Sequence, residues 1–444
     1  MNVLYLHQHF ATRAGAGGTR SWEFSRRLMD RGHDVTMVAQ VRRGGGVSRR
    51  GRHEVDGIHL ILLGGYYTNH LANWRRAWQF IRVMLRACFL RNLPARPDVV
   101  VASSTPLTIG VPGWILARRF GVPFVFEIRD LWPEAPIQLG VLRNRFLQRV
   151  AHRLERFLYR RSDAIIPLSP GMEDGVLAAG ADPAKVVTIP NASDTDLFDP
   201  AVRDRALLDR FDVGDRFVAV HAGMMGPANG LDYVLEAARV LHERGDDSIR
   251  ILVIGEGGTR QRLIERATEL GLTNIDFPGS VVKQELGAIV SSCDAGIVSF
   301  ADFPVLATNS PNKLFDALAA GLPCVVNSNG WTRPLVVDHD AGAYADVRDP
   351  AQLADELQRL QRDPKLRARQ GANARRLAEQ VFARDRLAAR FCDVLEHVAG
   401  TPRNANRVLP ASLREPLVPA AGVPLVDAEA ASSSPASSTG AATP

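Results

Sequence analysis

The sequence is poor in several things, and each shortage narrows its reading. It has four cysteines (Cys88, Cys293, Cys324, Cys392), far apart and without a C-x-x-C pair. That spacing argues against a metal knuckle or a disulfide scaffold and suits a reducing compartment. No uninterrupted apolar run approaches the ~18–20 residues of a membrane span. The opening MNVLYLHQHF lacks a basic leader and reads as a first strand rather than a signal peptide. No D-x-D stands in a fitting place, so chemistry without a metal is expected. Nor does any nucleic-acid-binding motif accompany the basic residues, so a nucleic-acid partner is not expected. Acid is scarce in the first half: residues 1–198 hold 27 Lys+Arg against 16 Asp+Glu, a net of +11, whereas the remainder holds 27 against 32. Such a half suits an anionic partner.

What is present is apolar material, 46% of 444 residues, enough for two cores and a tail. Short Val- and Ile-rich runs alternate with helix-length segments. They fall at Val3–Leu6, Val35–Ala39, Ile58–Leu62, Val99–Ala102, Pro123–Glu127 and Ala164–Pro167. A second series runs through Phe217–Ala222, Ile249–Ile254, Ile275–Phe277, Ala295–Ser299 and Cys324–Asn327. The pattern predicts βαβ units and two parallel sheets, one over residues 1–198 and one over 199–376. Residues 353–398 read as helical. From Thr401 to Pro444 the composition turns to Ala, Pro, Ser and Thr, and disorder is expected.

Parallel sheets bind ligands at the carboxyl ends of their strands, and the chemistry-bearing motifs fall there. Gly15, Gly17 and Gly18 lie between a strand and a helix start, where bare backbone and helix amides suit an anion. FEIRDLWPEAP (Phe126–Pro136) gathers Glu127, Arg129, Asp130 and Glu134 at a strand end, a costly crowding unless a ligand uses it. Against that stands an ordinary surface loop with a salt bridge. In NSPNKLFDALAAG (Asn309–Gly321), Ser310 reads as N-cap and Pro311 as first helical residue. Free amides near Asn312 and Lys313 would hold a phosphate, and Asp316, one turn on, could face the same cleft. VIGEGG (Val253–Gly258) and PGS (Pro278–Ser280) add two tight turns at the same edge. Two Arg-rich helices complete the inventory. One, Trp74–Arg91, has Arg75, Gln79, Arg82 and Arg86 on one stripe and Trp74, Trp78, Ile81 and Leu85 on another. The other, Arg143–Arg161, carries Arg145, Arg149, Arg153, Arg156 and Arg160. A basic amphipathic helix with Trp suits a membrane interface; the plainer reading is a solvated basic face.

Through GGTRSWEFSRRLMDRGHDVTMVA, EIRDLWPE, VIGEGG and SPNKLFDALAAG, the chain resembles the retaining family-4 glycosyltransferases of GT-B fold, an α/β class with two Rossmann-like domains facing a cleft. It is most similar to the surface-polysaccharide, L-fucosamine-transferring type, over about residues 1–398. The resemblance implies a closing helix, about 377–398, packed back on the first domain. It implies Gly17, Gly18 and Gly223 beside the donor, Gly255 and Glu256 positioning it, Gly279 and Val281 at the base, and Asp316 on the ribose. Arg20 and Glu134 are expected on the acceptor side, Ser310, Asn312 and Lys313 on the diphosphate, and Asp130, Arg129 and Lys313 in catalysis. Thr308 stands where many members carry an acid, Met224 and Asn229 where they carry Arg and Lys, and Arg129 where they carry His. The expected reaction moves an N-acetylated amino sugar from a UDP-sugar to a polyprenyl-diphosphate-linked acceptor. The expected place is the cytoplasmic face of the cell membrane, on an anionic surface, with no cofactor. A sugar-nucleotide epimerase of the same fold and a non-catalytic partner of another transferase are the alternatives.

Overall fold

The computed structural model describes residues 1–15, 18–42, 49–67, 73–402 and 407–417, without the side chains of residues 42, 65–67 and 73–77. Two sheets organise the chain. The first comprises β1 (Asn2–His7), β2 (Asp34–Arg42), β3 (Gly51–Val55), β4 (Ile58–Tyr67), β5 (Val99–Ser103), β6 (Phe124–Ile128) and β7 (Ala164–Pro167), in the order β3-β4-β2-β1-β5-β6-β7. The second comprises β8 (Phe217–Ala222), β9 (Ile249–Ile254), β10 (Ile275–Gly279), β11 (Ala295–Val298), β12 (Cys324–Val326) and β13 (Gly342–Tyr344), in the order β10-β9-β8-β11-β12-β13. All neighbours run parallel except β3 and β4. The central strands are buried on both faces, as in Val99–Val101 and Ile251–Val253, which is why they read as continuous apolar runs.

Two strands escaped the sequence reading. β3 (GRHEV) is an edge strand with no apolar run; its hairpin turn is Asp56–Gly57, both at positive φ (51° and 82°), a type I′ signature. β13 (GAY) is too short to leave a pattern.

The helix Arg384–Gly400 lies against the first domain's helix Arg20–Asp30. Phe391 stacks on Tyr5 at 6.0 Å and meets Phe24 at a tilt at 5.1 Å, ring centre to ring centre. Arg27 reaches Asp385 at 2.8 Å, and Arg31 reaches Asp393 at 2.6 Å. The chain crosses between domains at a short bridge, where Ser193 pairs with Ala383.

The expected disordered tail needs correction over its first part. Leu409 is fully buried, its amide donates to Ala184 O at 2.9 Å, and Arg407 meets Asp163 at 2.8 Å. Ala411–Arg414 forms a short helix. Leu409, Leu413, Leu417 and Arg407 dock a segment that composition marks as linker. Residues 418–444 lie outside the described residues.

The helix Asn73–Cys88 turns Val83 and Ala87 to the core, while Trp78 (59%), Ile81 (40%), Leu85 (48%) and, just beyond it, Phe89 (73%) are exposed. Phe146, Leu147 and Val150 on the helix Arg145–Arg161 are exposed too. The side chains of Trp74 and Arg75 lie outside the described residues. Among the described residues no helix is long and apolar enough to cross a membrane.

Candidate active site

A cavity of about 450 Å³ opens between the two sheets, at the carboxyl ends of β1, β5, β6, β8 and β11. On the first-domain side, Arg129 and Asp130 follow directly on β6. The Arg129 guanidinium donates to His7 Nε2 at 2.9 Å, and His7 Nδ1 lies 2.7 Å from Ser21 Oγ. The Arg129 backbone N–H donates to Ser104 Oγ at 2.9 Å, and Thr105 Oγ1 donates to Asp130 Oδ2 at 2.7 Å. Burial raises the Asp130 carboxyl above the ordinary range, against the opposing pull of Thr105 and Arg129.

A buried layer holds these residues in place. Glu127, fully buried on β6, accepts from Arg20 Nε at 2.8 Å, from Ser103 Oγ at 2.5 Å and from Tyr5 OH at 3.1 Å. Burial would raise Glu127, but Arg20 and Arg129 overcome it and hold the carboxylate below its usual range. Arg20 also donates to Ile189 O at 2.9 Å and to Pro190 O, and sits 4.2 Å from the centre of the Phe24 ring. The expectation that Arg20 serves the acceptor is thereby corrected: it is 2% exposed beneath the wall, spent on Glu127 and backbone carbonyls. Glu134 is also not on the cavity lining; it opens the short helix Glu134–Gln138, half exposed, 3.6 Å from His152 Nε2.

On the second-domain side the backbone comes first. Gly223 N–H donates to Ile254 O and Gly255 N–H to Gly279 O, at 2.9 and 2.8 Å. A Cβ on Gly255, at φ +146°, would stand 1.8 Å from Gly223 O, so only glycine fits. The VIGEGG turn therefore packs one strand-end loop on the next. Gly223 lines the cavity, whereas Gly255, Glu256, Gly279 and Val281 do not; the Glu256 carboxylate is 3.7 Å from Arg260.

The helix Asn312–Ala319 points its first turn at the cavity. Its N-cap is Pro311, not Ser310, and no side chain caps it. Ser310 Oγ is taken by the Asn191 amide of the first domain, at 3.1 Å, and Asn191 Nδ2 donates to Ser310 O at 2.6 Å. Thus the misread cap is an interdomain clasp, and the helix amides stay without a side-chain acceptor. Lys313 Nζ donates to Asn229 Oδ1 at 2.8 Å and Ser299 O at 2.7 Å, and lies 4.6 Å from the Phe300 ring centre. No carboxylate pairs with it among the described residues, and burial lowers its pKa to about 7. His221, fully buried beneath, is driven well below its usual range by burial and by Lys313.

Asp316 corrects another expectation. One turn beyond Lys313, it turns away from the cavity to Lys283 Nζ at 3.4 Å, and Lys283 meets Asp194 at 3.0 Å. Arg384 also pairs with Asp194, so this carboxylate belongs to a buried ion network where the chain crosses between domains. Burial raises Asp316, with Lys283 opposing.

Arg129, Asp130, Gly18, Gly223, Met224, Asn229, Ser310, Asn312 and Lys313 thus meet around one cavity. A Cβ on Gly18 would stand 3.2 Å from Asn312 Nδ2 and 3.3 Å from Arg129 Nη2, so this glycine leaves room between a side chain of each wall. Gly17 lies outside the described residues. Sequence reading missed His7, His9, Thr105 and Asn191 on the lining; the signal available was HQH at the end of the first strand. Thr308 packs on the first domain, 3.2 Å from where a Gly171 Cβ would stand. Among the described residues no three His, Cys, Asp or Glu side chains are grouped for a metal. What the site offers is a cation and a helix end in one wall, facing a carboxyl, an arginine and histidines in the other.

Comparison with known proteins gives these walls a context. Residues 15–192 match the glycosyl transferase 4-like domain, and residues 209–377 match glycosyl transferases group 1. The chain is similar to the probable glycosyltransferase WbjE of Pseudomonas aeruginosa, 22% identical over 62% of this chain and 69% of that one. It is similar to the putative colanic acid biosynthesis glycosyl transferase WcaI of Escherichia coli, 26% identical over 53% of this chain and 59% of that one. In fold it resembles HepE of Anabaena, solved with UDP and glucose, with a TM-score of 0.65 and 18% identity over 89% of this chain and 99% of that one.

Proposed function

The chain belongs to the GT-B glycosyltransferases of family 4, and on that premise we propose that it transfers an N-acetylated amino sugar, of L-fucosamine type, from a UDP-sugar to a polyprenyl-diphosphate-linked glycan, with retention and without a metal. The observation that carries the reading is Lys313: a buried amine that meets no carboxylate among the described residues, beside an uncapped helix start, at the wall of an interdomain cavity. That combination suits a diphosphate, whose charge grows as the bond to the sugar breaks. UDP is taken from the likeness to HepE and from the cavity chemistry.

In the transfer, the anomeric carbon–phosphate oxygen bond breaks and the acceptor hydroxyl oxygen bonds to the same carbon. The hydroxyl proton passes to the departing phosphate oxygen. Lys313 and the amides of Asn312 and Lys313 take up the developing negative charge. Asp130 and Arg129 hold the transferred sugar and the acceptor hydroxyl from the opposite wall. The exposed apolar and arginine residues of the helices Asn73–Cys88 and Arg145–Arg161 dock the first domain on the inner face of the cell membrane, where the acceptor resides.

The test is UDP release from a panel of UDP-sugars, with and without lipid-linked acceptor and with and without chelator, and the anomeric configuration of the product read by NMR. Acceptor-dependent release with retention, unaffected by chelator, is expected. Conversion of free UDP-sugar without acceptor would mean an epimerase, and neither reaction would mean a non-catalytic partner.

A further inference from the structure

Outside the cleft, a cavity of about 490 Å³ lies between the β3–β4 edge and the C-terminal half of the helix Asn73–Cys88. It shares no lining residue with the cleft. Arg50, Arg52, Arg86 and Arg91 line it, with Leu85 and Phe89 beside them.

Two of these guanidinium groups are held by backbone carbonyls. Arg86 Nη1 donates to Gly64 O at 2.6 Å, and Arg52 Nη2 donates to Asn92 O and lies 3.4 Å from Arg91 O. At Gly64 the missing side chain makes room: a Cβ there would stand 3.0 Å from Arg50 Cδ and 3.1 Å from Arg86 Nη1. Among the described residues none of these arginines, nor the exposed Arg82, pairs with a carboxylate. Arg86 is pushed below the ordinary guanidinium range, by burial and then by Arg82 and Arg50. Like charges collected without a counter-ion are unfavourable until an anion joins them. Directly beside them runs the ridge Trp78, Ile81, Leu85, Phe89, at helical spacing and open to solvent. A soluble phosphate would use the cations and leave that ridge wet. A phospholipid uses both, its phosphate in the arginine groove and its acyl region against the ridge.

We propose that this groove binds the phosphate headgroup of an individual acidic membrane phospholipid, and so fixes how the first domain sits on the bilayer. The inference rests on the membrane-docking reading above and adds a discrete, saturable site to it.

The experiment compares the full chain with Arg50→Gln/Arg91→Gln, with Arg91→Gln alone, and with Trp78→Ser/Phe89→Ser. The probes are vesicles of phosphatidylcholine, vesicles of phosphatidylcholine with phosphatidylglycerol, monomeric dihexanoyl-phosphatidylglycerol, and inorganic phosphate. Melting temperatures check that each variant is folded. The wild-type chain should bind phosphatidylglycerol vesicles and one short-chain phosphatidylglycerol per chain. The double arginine variant should bind those vesicles roughly thirtyfold more weakly, and the single variant roughly fivefold. Neither should lose UDP binding. The Trp78→Ser/Phe89→Ser variant should bind the short-chain lipid more weakly and leave vesicles at high salt. Equal binding of wild type and arginine variants to phosphatidylglycerol vesicles would overturn the headgroup site while leaving membrane docking intact. Binding of inorganic phosphate as tightly as short-chain lipid, without vesicle binding, would overturn the lipid as occupant. No binding to any vesicle or lipid would remove both readings.

Discussion

In the first domain Glu127 is buried against Arg20 at 2.8 Å, with Ser103 and Tyr5 completing its shell; in the second, Lys313 is buried against two neutral oxygens and, among the described residues, no acid. The difference appears in their titration. Arg20 and Arg129 overcome burial at Glu127 and hold its proton off, whereas burial alone brings Lys313 down to about 7. A buried charge that finds its partner within the chain serves the architecture of the wall. One that finds none is costly to the empty protein, and an anionic ligand repays that cost. The chain holds only four lysines beside fifty arginines, and two of the four, Lys283 and Lys313, are buried. Lysine can shed its proton when buried, which arginine does not do.

Breaking the paired side should have the largest effect. Glu127→Ala leaves Arg20 buried without its carboxylate and should cost about 3–5 kcal/mol of stability, read from the urea midpoint. If the midpoint barely moves, Arg20 has found water and the wall is looser than the geometry implies. Breaking the unpaired side should act on ligand instead. Lys313→Met should weaken UDP by about 1.5–3 kcal/mol, roughly 10- to 150-fold by calorimetry, with a smaller stability loss than Glu127→Ala. A melting loss as large as that of Glu127→Ala would make Lys313 an architectural residue like Arg20.

The smallest effect sharpens the contrast through pH. Burial lowers the Lys313 pKa to about 7, and a bound diphosphate would raise that value. UDP affinity should therefore be full below about 7 and fall as pH rises through it, by at most about tenfold per unit. Above 7, binding should take up a proton, seen by calorimetry in buffers of different ionisation enthalpy. Stability of the empty protein should move the other way. Between about 7 and the ordinary lysine value of 10.5 the unfolded chain holds this proton more tightly, so the Lys313 contribution rises with pH across that window. Loss of both trends in Lys313→Met would assign them to this amine.

The strands were legible because their code is local. Ala164–Pro167, Phe217–Ala222 and Ile249–Ile254 are apolar runs bounded by turn residues, and they fold with those limits. So were the strand-end stretches that carry Arg129, Asp130 and Gly223 to the cavity, because parallel topology sends every such end to one edge. Beyond that, spacing alone did not suffice. Lys313 and Asp316 lie within one helical turn, yet one faces the cavity and the other Lys283, because Asp194 and Arg384 gather charge on that side. Ser310 had the chemistry of a cap and became a clasp, because Asn191 arrives from the other domain. Leu409 and Arg407 left a polar tail for the first domain, because Ala184 and Asp163 offered partners. The sequence by itself determined the strands that are apolar runs and which of their ends meet. Only the tertiary structure decided which polar groups found partners inside the protein, since a partner hundreds of residues away leaves no periodic trace.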